Sequence, residues 1–196
     1  MAKVISEGTG EFYQHYPRVA TIVTAQSGGK ANAMAVAWHM PISFNPPLYA
    51  VSIASKRFTY QLIADSREFG VNFLPFEAAE LVASVGGSKG EQVDKFRRFN
   101  IARDKSARTA VPILKDAYAA YECKLVDDRD YGDHKLLVGE IVAVHQLKEA
   151  FAPEEILDLD KVSPILYLGY EVYVTTSPDT ARSLDREVYG KAKGGL

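Results

Sequence analysis

Cysteine is almost missing from this chain. Of the 196 residues only Cys123 carries a thiol, so neither an intramolecular disulfide nor a cysteine metal cluster can form. A lone cysteine of this kind is usually a small buried apolar residue, and we predict that role for Cys123. The four histidines form no HExxH or similarly spaced set, so we expect no catalytic metal.

Strong charge and long apolar runs are missing as well. The formal net charge is only −2, which gives no reason to expect nucleic acid or an anionic membrane as a partner. No apolar run approaches the length needed to span a bilayer. The N-terminal sequence MAKVISEGTGEF has no apolar centre of the signal-peptide kind, so we expect a cytoplasmic protein.

A dinucleotide-binding turn and a hydrolytic site are also missing from the sequence. No GxGxxG turn follows the first predicted strand, which counts against a parallel doubly wound sheet. No constellation of serine, cysteine or carboxylate residues suited to hydrolysis is visible. Any redox chemistry would therefore come from a cofactor that the protein positions and tunes.

What the chain does contain is a series of short β patterns with hairpin-like spacing. The length fits one domain over residues 1–196, with a lead-in over about 1–16 and a loose tail over about 177–196. The predicted strands cover residues 18–25, 33–38, 48–54, 68–74, 117–126 and 134–147 (bent at Gly139), with a last strand or extended arm over 166–175. The predicted helices cover residues 58–65, 76–85 and 91–100, with a short helical piece over 152–155. A proline-rich connector over 39–47, a polar loop over 101–113 and a charged turn over 127–132 complete the prediction. Because strands outnumber helices, we expect a mainly β fold: a closed or nearly closed antiparallel barrel with helices at its rim.

The stretch from Asn32 to Thr59 carries the main functional signal. Small residues before Trp38 would let a flat ligand approach the backbone closely. After the next strand, a Ser55-Lys56-Arg57 run opens a predicted helix, and helix N-termini and arginine both favour phosphate. A stacking surface beside a single phosphate site is what FMN needs. The structural alternatives are a core tryptophan, a hairpin asparagine and an N-cap serine with solvated basic neighbours.

Five motifs occur in order along the chain: NAM…W, PPL…S.KR.T, DKF, GDH…GE and a late tyrosine. Together they resemble the flavin reductase-like family, most closely its flavoredoxin branch, over residues of about 16–173. The resemblance implies an FMN-binding split β-barrel, of the antiparallel Greek-key type with rim helices, that forms a homodimer. It also implies NAD(P)H as co-substrate and a protein or small-molecule electron acceptor.

The resemblance also implies the residues of the site. His134 is the predicted catalytic residue, and it lies at the flavin in this family. The predicted cofactor-binding residues are Asn32, Ala35, Val36, Ala37, Trp38, Ser55, Arg57, Thr59, Lys95, His134 and Tyr167. Lys56, Ser88, Lys89, Tyr170 and Tyr173 are lesser candidates. Ordinary roles compete: a solvated lysine on a helix for Lys95, and a structural histidine or core tyrosine for the others.

Three functions fit these features. The first is an NAD(P)H-dependent flavin reductase that uses bound FMN to pass electrons on. The second is a flavoredoxin-type electron carrier that holds FMN tightly and exchanges electrons with protein partners. The third, ferric reduction, would use the same flavin. Because no nicotinamide dinucleotide fingerprint is visible, the sequence leaves the choice between enzyme and carrier open.

Overall fold

The computed structural model describes residues 2–190, so the last part of the predicted tail lies outside the described residues. The strands in chain order are β1 (Arg18–Val19), β2 (Thr21–Ser27), β3 (Lys30–Val36), β4 (His39–Phe44), β5 (Pro47–Ile53), β6 (Glu68–Phe73), β7 (Arg103–Asp104), β8 (Ile113–Leu114), β9 (Ala119–Tyr131), β10 (His134–Gln146), β11 (Leu166–Gly169) and β12 (Val172–Val174). The α-helices are α1 (Phe58–Ser66), α2 (Ala79–Gly86), α3 (Lys95–Arg98) and α4 (Arg186–Tyr189). Single 3-10 turns lie at Phe76–Ala78, Lys148–Ala150 and Pro178–Thr180. None of the helices in this part of the chain has the length and apolar content that crossing a membrane requires.

Seven strands form one antiparallel sheet in the order β3-β2-β6-β9-β10-β5-β4. The pairs β2–β3 and β9–β10 are hairpins, as their spacing in the sequence predicts, and β4–β5 is a further hairpin. A second sheet has the order β1-β11-β12, and β7 pairs with β8. The predicted mainly β, antiparallel architecture is confirmed. The large sheet is not closed, because β3 and β4 are its two edges.

The core lies between the curved sheet and α1. Apolar side chains of β2, β5, β6 and β10 alternate toward it, and α1 adds Leu62 and Ile63. Phe69 is fully buried at its centre, where truncation to alanine would cost about 3–5 kcal/mol. Cys123 is fully buried beside it, which confirms the apolar role predicted for the thiol.

The predicted bend at Gly139 is a β-bulge in the long hairpin β9–β10, where the register shifts between Val138 and Gly139. A Cβ atom on Gly139 would lie 2.6 Å from the Phe69 ring and 2.7 Å from Cβ of Cys123. Glycine is therefore required here because the Phe69 ring packs directly against the backbone of β10.

The predicted proline-rich connector is wrong in part, because β4 occupies most of it. β4 is an edge strand. The N–H that Pro41 lacks is therefore not needed on its open side, where no neighbouring strand requires a donor. A register shift between Pro41 and Ser43 accommodates the ring. Only the turn at Asn45 and Pro46 remains of the connector.

The predicted helix over 91–100 is also wrong in extent, because only Lys95–Arg98 is helical. The glycine-rich turn continues to Asp94, whose carboxylate accepts a hydrogen bond from the Arg97 N–H at 3.2 Å and so begins the helix there. Within the predicted loop over 101–113, β7 and the first residue of β8 pair as a short hairpin.

Three further boundaries differ from the prediction. The charged turn over 127–132 is mostly strand, because the solvated end of the β9–β10 hairpin needs no apolar face; the turn itself is Gly132-Asp133, with Gly132 at φ +63°. The helical piece over 152–155 is a plain turn, and the 3-10 turn precedes it. The last predicted strand is a hairpin, β11–β12, turned by Tyr170 and Glu171 at positive φ.

Candidate functional site

A cleft of about 470 Å³ lies between β3, the N-terminus of α1 and the turn that follows α2. We call it the Thr59 cleft. Its lining residues are Asn32, Met34, Ala35, Lys56, Arg57, Phe58, Thr59, Val85, Gly86, Ser88, Lys89, Gly90, Glu91 and Lys95. Segments far apart in sequence therefore meet in one place, and five of the predicted site residues are among them.

Asn32 and Thr59 form the buried floor of the Thr59 cleft. The Asn32 Nδ2 group donates a hydrogen bond to Thr59 Oγ1 at 2.9 Å, and both residues are almost fully buried. Asn32 Oδ1, in contrast, is buried and has no hydrogen-bond partner among residues 2–190. Gly90 backs this amide so closely that a Cβ atom there would lie 2.4 Å from Asn32 Oδ1. The floor thus holds an acceptor that still requires a donor.

Lys95 is a buried cation in the wall of the Thr59 cleft. Its Nζ donates to the carbonyl oxygens of Ala33 at 2.9 Å and Val85 at 2.7 Å, which leaves one N–H donor. Burial, together with the nearby Arg57 guanidinium as the smaller cause, lowers the pKa of the Lys95 ammonium to about 8. Within residues 2–190 no carboxylate forms an ion pair with Lys95 or Arg57. An anion between these two cations would relieve their repulsion.

The N-terminus of α1 opens into the same cleft. Its N-cap residue, Arg57, makes no side-chain cap hydrogen bond, and the first turn contains no acidic residue. The free N–H groups and the positive end of the helix dipole therefore face the cleft. With the cations of Lys56, Arg57 and Lys89 alongside, the geometry suits a phosphate group.

β3 contributes its open edge to the Thr59 cleft. The Ala33 carbonyl faces Lys95 rather than β2. The N–H and C=O of one residue in an antiparallel strand point the same way, and the direction alternates along the strand. The backbone N–H and C=O of Ala35 therefore lie at this edge, as those of Ala33 do. The side chain of the next residue, Val36, packs in the core.

Trp38 lies in an aromatic cluster at the end of β3. Its ring centroid is 4.9 Å from that of His134, and its Nε1 donates a hydrogen bond to the Tyr16 hydroxyl at 2.8 Å. Tyr16 in turn packs edge-on against Tyr167, at 5.9 Å between centroids, and Tyr167 lies 5.1 Å from Tyr173. The structure thus brings three predicted site residues together, with Tyr16 joining them.

His134 follows the Gly132-Asp133 turn and is half-buried. Its Nδ1 lies 2.7 Å from Asp133 Oδ1, and Nε2 forms no hydrogen bond within the part of the chain that the structure describes. This hydrogen bond is the main reason that the pKa of Asp133 is lowered, and the Lys56 ammonium lowers it further. Lys135 pairs with Ile53 of β5, three residues before Lys56, so the His134 turn lies near the part of the Thr59 cleft that Lys56 lines.

The predicted site residues therefore fall into two neighbouring groups. Asn32, Ala35, Arg57, Thr59 and Lys95 line the Thr59 cleft, as do Lys56, Ser88 and Lys89. Trp38, His134, Tyr167 and Tyr173 belong to the aromatic cluster. Val36, Ala37 and Ser55 line neither: Val36 is in the core and Ser55 is exposed.

Sequence reasoning missed two residues of the site. Gly90 fixes the Asn32 amide, and its only signal was membership of a glycine-rich turn. Tyr16 joins Trp38 to Tyr167 from a segment that the composition marked as a partly ordered lead-in. The two aromatic residues of this segment, Tyr13 and Tyr16, are the feature of its sequence that indicates packing on the sheet.

The fold is that of a mainly β protein in which a cleft whose geometry suits a phosphate group lies beside an aromatic cluster. Comparison with known proteins agrees with this class. A model of the flavin reductase like domain matches residues 13–176. The chain therefore belongs to the flavin reductase-like family.

Two solved structures resemble the chain over nearly its whole length. An FMN-binding protein from Thermus thermophilus, with bound 1-cyclohex-2-enone, is 32% identical with a TM-score of 0.84, and the match covers 93% of this chain and 100% of that one. Flavoredoxin from Methanosarcina acetivorans is 26% identical with a TM-score of 0.83, covering 97% and 100%. The predicted split-barrel fold is thereby confirmed.

Two curated proteins are similar to this chain in sequence. A ferric-chelate reductase (NAD(P)H) from Archaeoglobus fulgidus is 30% identical over 131 residues, which are 66% of this chain and 76% of that protein. An uncharacterized protein from Aeropyrum pernix is 32% identical over 169 residues, which are 82% of this chain but only 64% of that protein's length.

Proposed function

We propose that this protein is an FMN-binding oxidoreductase that takes electrons from NAD(P)H and passes them to an acceptor. The observation that carries the proposal is the pairing of a buried ammonium, Lys95, with Arg57 at an uncapped helix N-terminus. Two neighbouring cations without a carboxylate partner among residues 2–190 call for an anion. A flavin phosphate is the anion that the family relationship supports.

The residues of the Thr59 cleft fit FMN. Arg57, Lys56 and the N–H groups of α1 would hold the phosphate, with the Thr59 hydroxyl beside them. The buried acceptor at Asn32 Oδ1 would take a hydrogen bond from a hydroxyl of the ribityl chain. The edge of β3 at Ala35 would supply backbone N–H and C=O groups to the polar rim of the ring.

The aromatic cluster would provide the wall of the ring site. Trp38 and His134 offer an aromatic surface, and Tyr167 extends it. FMN, when bound, supplies the capacity to accept a hydride and to release electrons. His134 would hold a proton donor or acceptor at Nε2, because Asp133 fixes the orientation of Nδ1. Backbone N–H groups near the ring would stabilise negative charge there.

Cofactor loading and anaerobic reduction test this proposal. The purified protein should be yellow or bind added FMN at about one per chain, measured by quenching of flavin fluorescence. Rapid stoichiometric bleaching by NADH or NADPH without oxygen is expected of the enzyme. A colourless protein that fails to bind FMN would contradict the proposal.

The second candidate is an electron carrier without NAD(P)H activity of its own. It is supported by the flavoredoxin from Methanosarcina acetivorans, which is similar over nearly the whole chain. A carrier would resist bleaching by NAD(P)H yet be reduced by a protein donor. The third candidate, ferric reduction, is supported by the relative named ferric-chelate reductase. It predicts NAD(P)H-dependent formation of Fe²⁺ from a ferric chelate.

A homodimer is part of the proposal. The β11–β12 hairpin exposes Leu168, Tyr170 and Val172, with 72% of the tyrosine accessible. The edge strand β4 likewise exposes Met40 and Phe44. Apolar and aromatic surface of this kind is typical of subunit contacts. Light scattering at micromolar concentration should give twice the mass of 21.6 kDa, and a monomeric mass would contradict the dimer.

A further inference from the structure

A cleft of about 660 Å³ lies at the end of the β9–β10 hairpin opposite its Gly132-Asp133 turn. We call it the Tyr118 cleft. Its lining residues are Pro47, Phe73, Tyr118, Ala119, Tyr121, Ile141, Val142, Ala143, Val144, Gln146, Phe151, Glu155 and Leu157. None of them lines the Thr59 cleft or belongs to the aromatic cluster of Trp38 and His134. The Tyr118 cleft is therefore a separate cavity, and its volume is within the range of about 300–1,000 Å³ that small-molecule sites occupy.

Four aromatic rings form much of the wall of the Tyr118 cleft. The ring centroid of Phe73 lies 5.2 Å from that of Tyr121 and 6.4 Å from that of Tyr118. The Tyr118 ring in turn lies 6.3 Å from that of Phe151. Aliphatic side chains of β10 and of the segment that follows it complete the wall. Such a wall favours a flat, unsaturated ligand, because a planar ring system can pack against several of these rings at once.

The same wall contains two phenol hydroxyls that have no partner. Tyr118 is only 9% exposed, yet within residues 2–190 its hydroxyl forms no hydrogen bond, and neither does that of Tyr121. Tyr49, whose ring lies 5.3 Å from that of Tyr121, shows the usual arrangement, because its hydroxyl lies 2.6 Å from His39 Nδ1. Buried polar groups normally have a partner of this kind. The two hydroxyls therefore mark where the polar group of a ligand would lie.

The charges around the Tyr118 cleft favour an uncharged ligand. Burial, with Tyr121 as the smaller cause, raises the pKa of the Tyr118 hydroxyl to about 12, and burial also raises the pKa of Tyr121. Both groups are therefore neutral hydrogen-bond donors. Among the described lining residues no lysine, arginine or histidine occurs, and Glu155 alone is charged. A carboxylate or phosphate would lack a counter-ion there, whereas a carbonyl oxygen can accept from a phenol without carrying charge.

We propose that the Tyr118 cleft binds an uncharged, flat aromatic carbonyl compound. Its ring system packs against Phe73 and Phe151, and its carbonyl oxygen accepts hydrogen bonds from the hydroxyls of Tyr118 and Tyr121. Because the Tyr118 cleft shares no lining residue with the Thr59 cleft, such a compound binds whether or not the Thr59 cleft is occupied.

Three probes of one shape test the ligand class. 2-Acetylnaphthalene is a flat ketone, 2-ethylnaphthalene lacks its carbonyl oxygen, and 2-naphthoate has a carboxylate in its place. Calorimetric titration of the purified protein, with and without saturating FMN, measures each affinity. The ketone should bind with the same Kd in both cases, and 2-naphthoate should bind roughly tenfold more weakly or not at all. If FMN abolishes binding of the ketone, the ketone occupies the ring site and the proposal is overturned.

Removal of the hydroxyls locates the binding site. Tyr118→Phe and Tyr121→Phe keep the rings, so each should weaken binding of 2-acetylnaphthalene roughly three- to tenfold and change that of 2-ethylnaphthalene less than about twofold. Tyr131→Phe is the matched control, because Tyr131 is 61% exposed near the hairpin turn and does not line the cleft. It should change neither affinity.

Three results would overturn the site. They are a wild type that does not bind the ketone, ketone affinity that is unaltered in both variants, and equal weakening of ketone and ethyl probe, which would show that the hydroxyls do not contact the carbonyl. Light scattering on the same variants adds a further check. If loss of the hydroxyls changes the association state and not the affinity for the ketone, the Tyr118 cleft is a contact between subunits and not a ligand site.

Discussion

Substitution of Lys95 by methionine tests the central feature of the Thr59 cleft. The ammonium is buried beside Arg57, and its pKa is lowered to about 8 by desolvation first and by Arg57 second. An FMN phosphate beside it would favour the charged form and raise that pKa. Loss of one charge-assisted hydrogen bond of about 1.5–3 kcal/mol should weaken FMN binding by roughly 10- to 100-fold at pH 7.

The affinity for FMN should depend on pH, because binding requires the charged form of Lys95. Above pH 8 the free protein loses the Lys95 proton, which FMN binding must then restore. Wild-type FMN affinity should therefore fall by about fivefold between pH 8 and pH 9, with proton uptake on binding. The stability of the FMN-free protein should change in the opposite direction. Its folded state binds fewer protons than the unfolded chain between the lowered pKa of about 8 and the ordinary value of 10.5, so the free energy of unfolding should rise with pH through that window.

Fluorescence titrations at pH 7, 8 and 9 measure the affinity, and calorimetry in buffers of different ionisation enthalpy measures the proton uptake. Lys95→Met should bind FMN weakly at every pH, with little uptake. Lys124→Met, on the exposed face of β9, is the control and should follow the wild type. If wild-type affinity is flat from pH 7 to 9 and Lys95→Met binds FMN normally, Lys95 does not face the cofactor.

The other predictions concern the floor of the cleft and the aromatic cluster. Thr59→Ala should weaken FMN binding by about 1–3 kcal/mol in a titration, because it removes both a hydroxyl and the acceptor that fixes Asn32; Thr59→Ser should largely restore it. His134→Ala should lower FMN affinity or slow flavin reduction in anaerobic stopped flow, with little change in melting temperature. His145→Ala should lower the melting temperature and leave FMN affinity and the reduction rate unchanged, because His145 Nε2 lies 2.6 Å from the buried Glu122 carboxylate. If His134→Ala alters only the melting curve, His134 is structural.

The strands of the fold were predictable because their apolar alternation records which face is buried. In β9, Cys123 and Leu125 are buried while Lys124 and Val126 are exposed. β6 keeps the apolar alternation of Phe69 and Val71, although its other face is buried as well. Where solvent faces both sides of a strand, as at the charged end of the β9–β10 hairpin, no apolar alternation is required and the sequence does not indicate a strand. β4 was not predictable from its prolines, because an edge strand tolerates Pro41 without the loss of a hydrogen bond on its open side.

The candidate site was predictable where local chemistry and family motifs coincide. Arg57 and Thr59 lie at the recognisable start of α1. Lys95 directly follows Asp94, the N-cap residue of α3. What the sequence could not give was the contact between distant segments. Gly90 matters only because the fold places it against Asn32, 58 positions earlier in the numbering.

The buried Asn32 amide, against which Gly90 packs, has a consequence for the amount of folded protein in the cell. A buried acceptor without a donor, such as Asn32 Oδ1, destabilises the fold by about 1–3 kcal/mol until a ligand hydroxyl reaches it. A ligand that binds only the folded chain adds its own stabilisation, which is about 2.7 kcal/mol at a hundredfold excess over its Kd. The amount of folded protein would then follow the supply of flavin, because the unfolded fraction is what proteases remove.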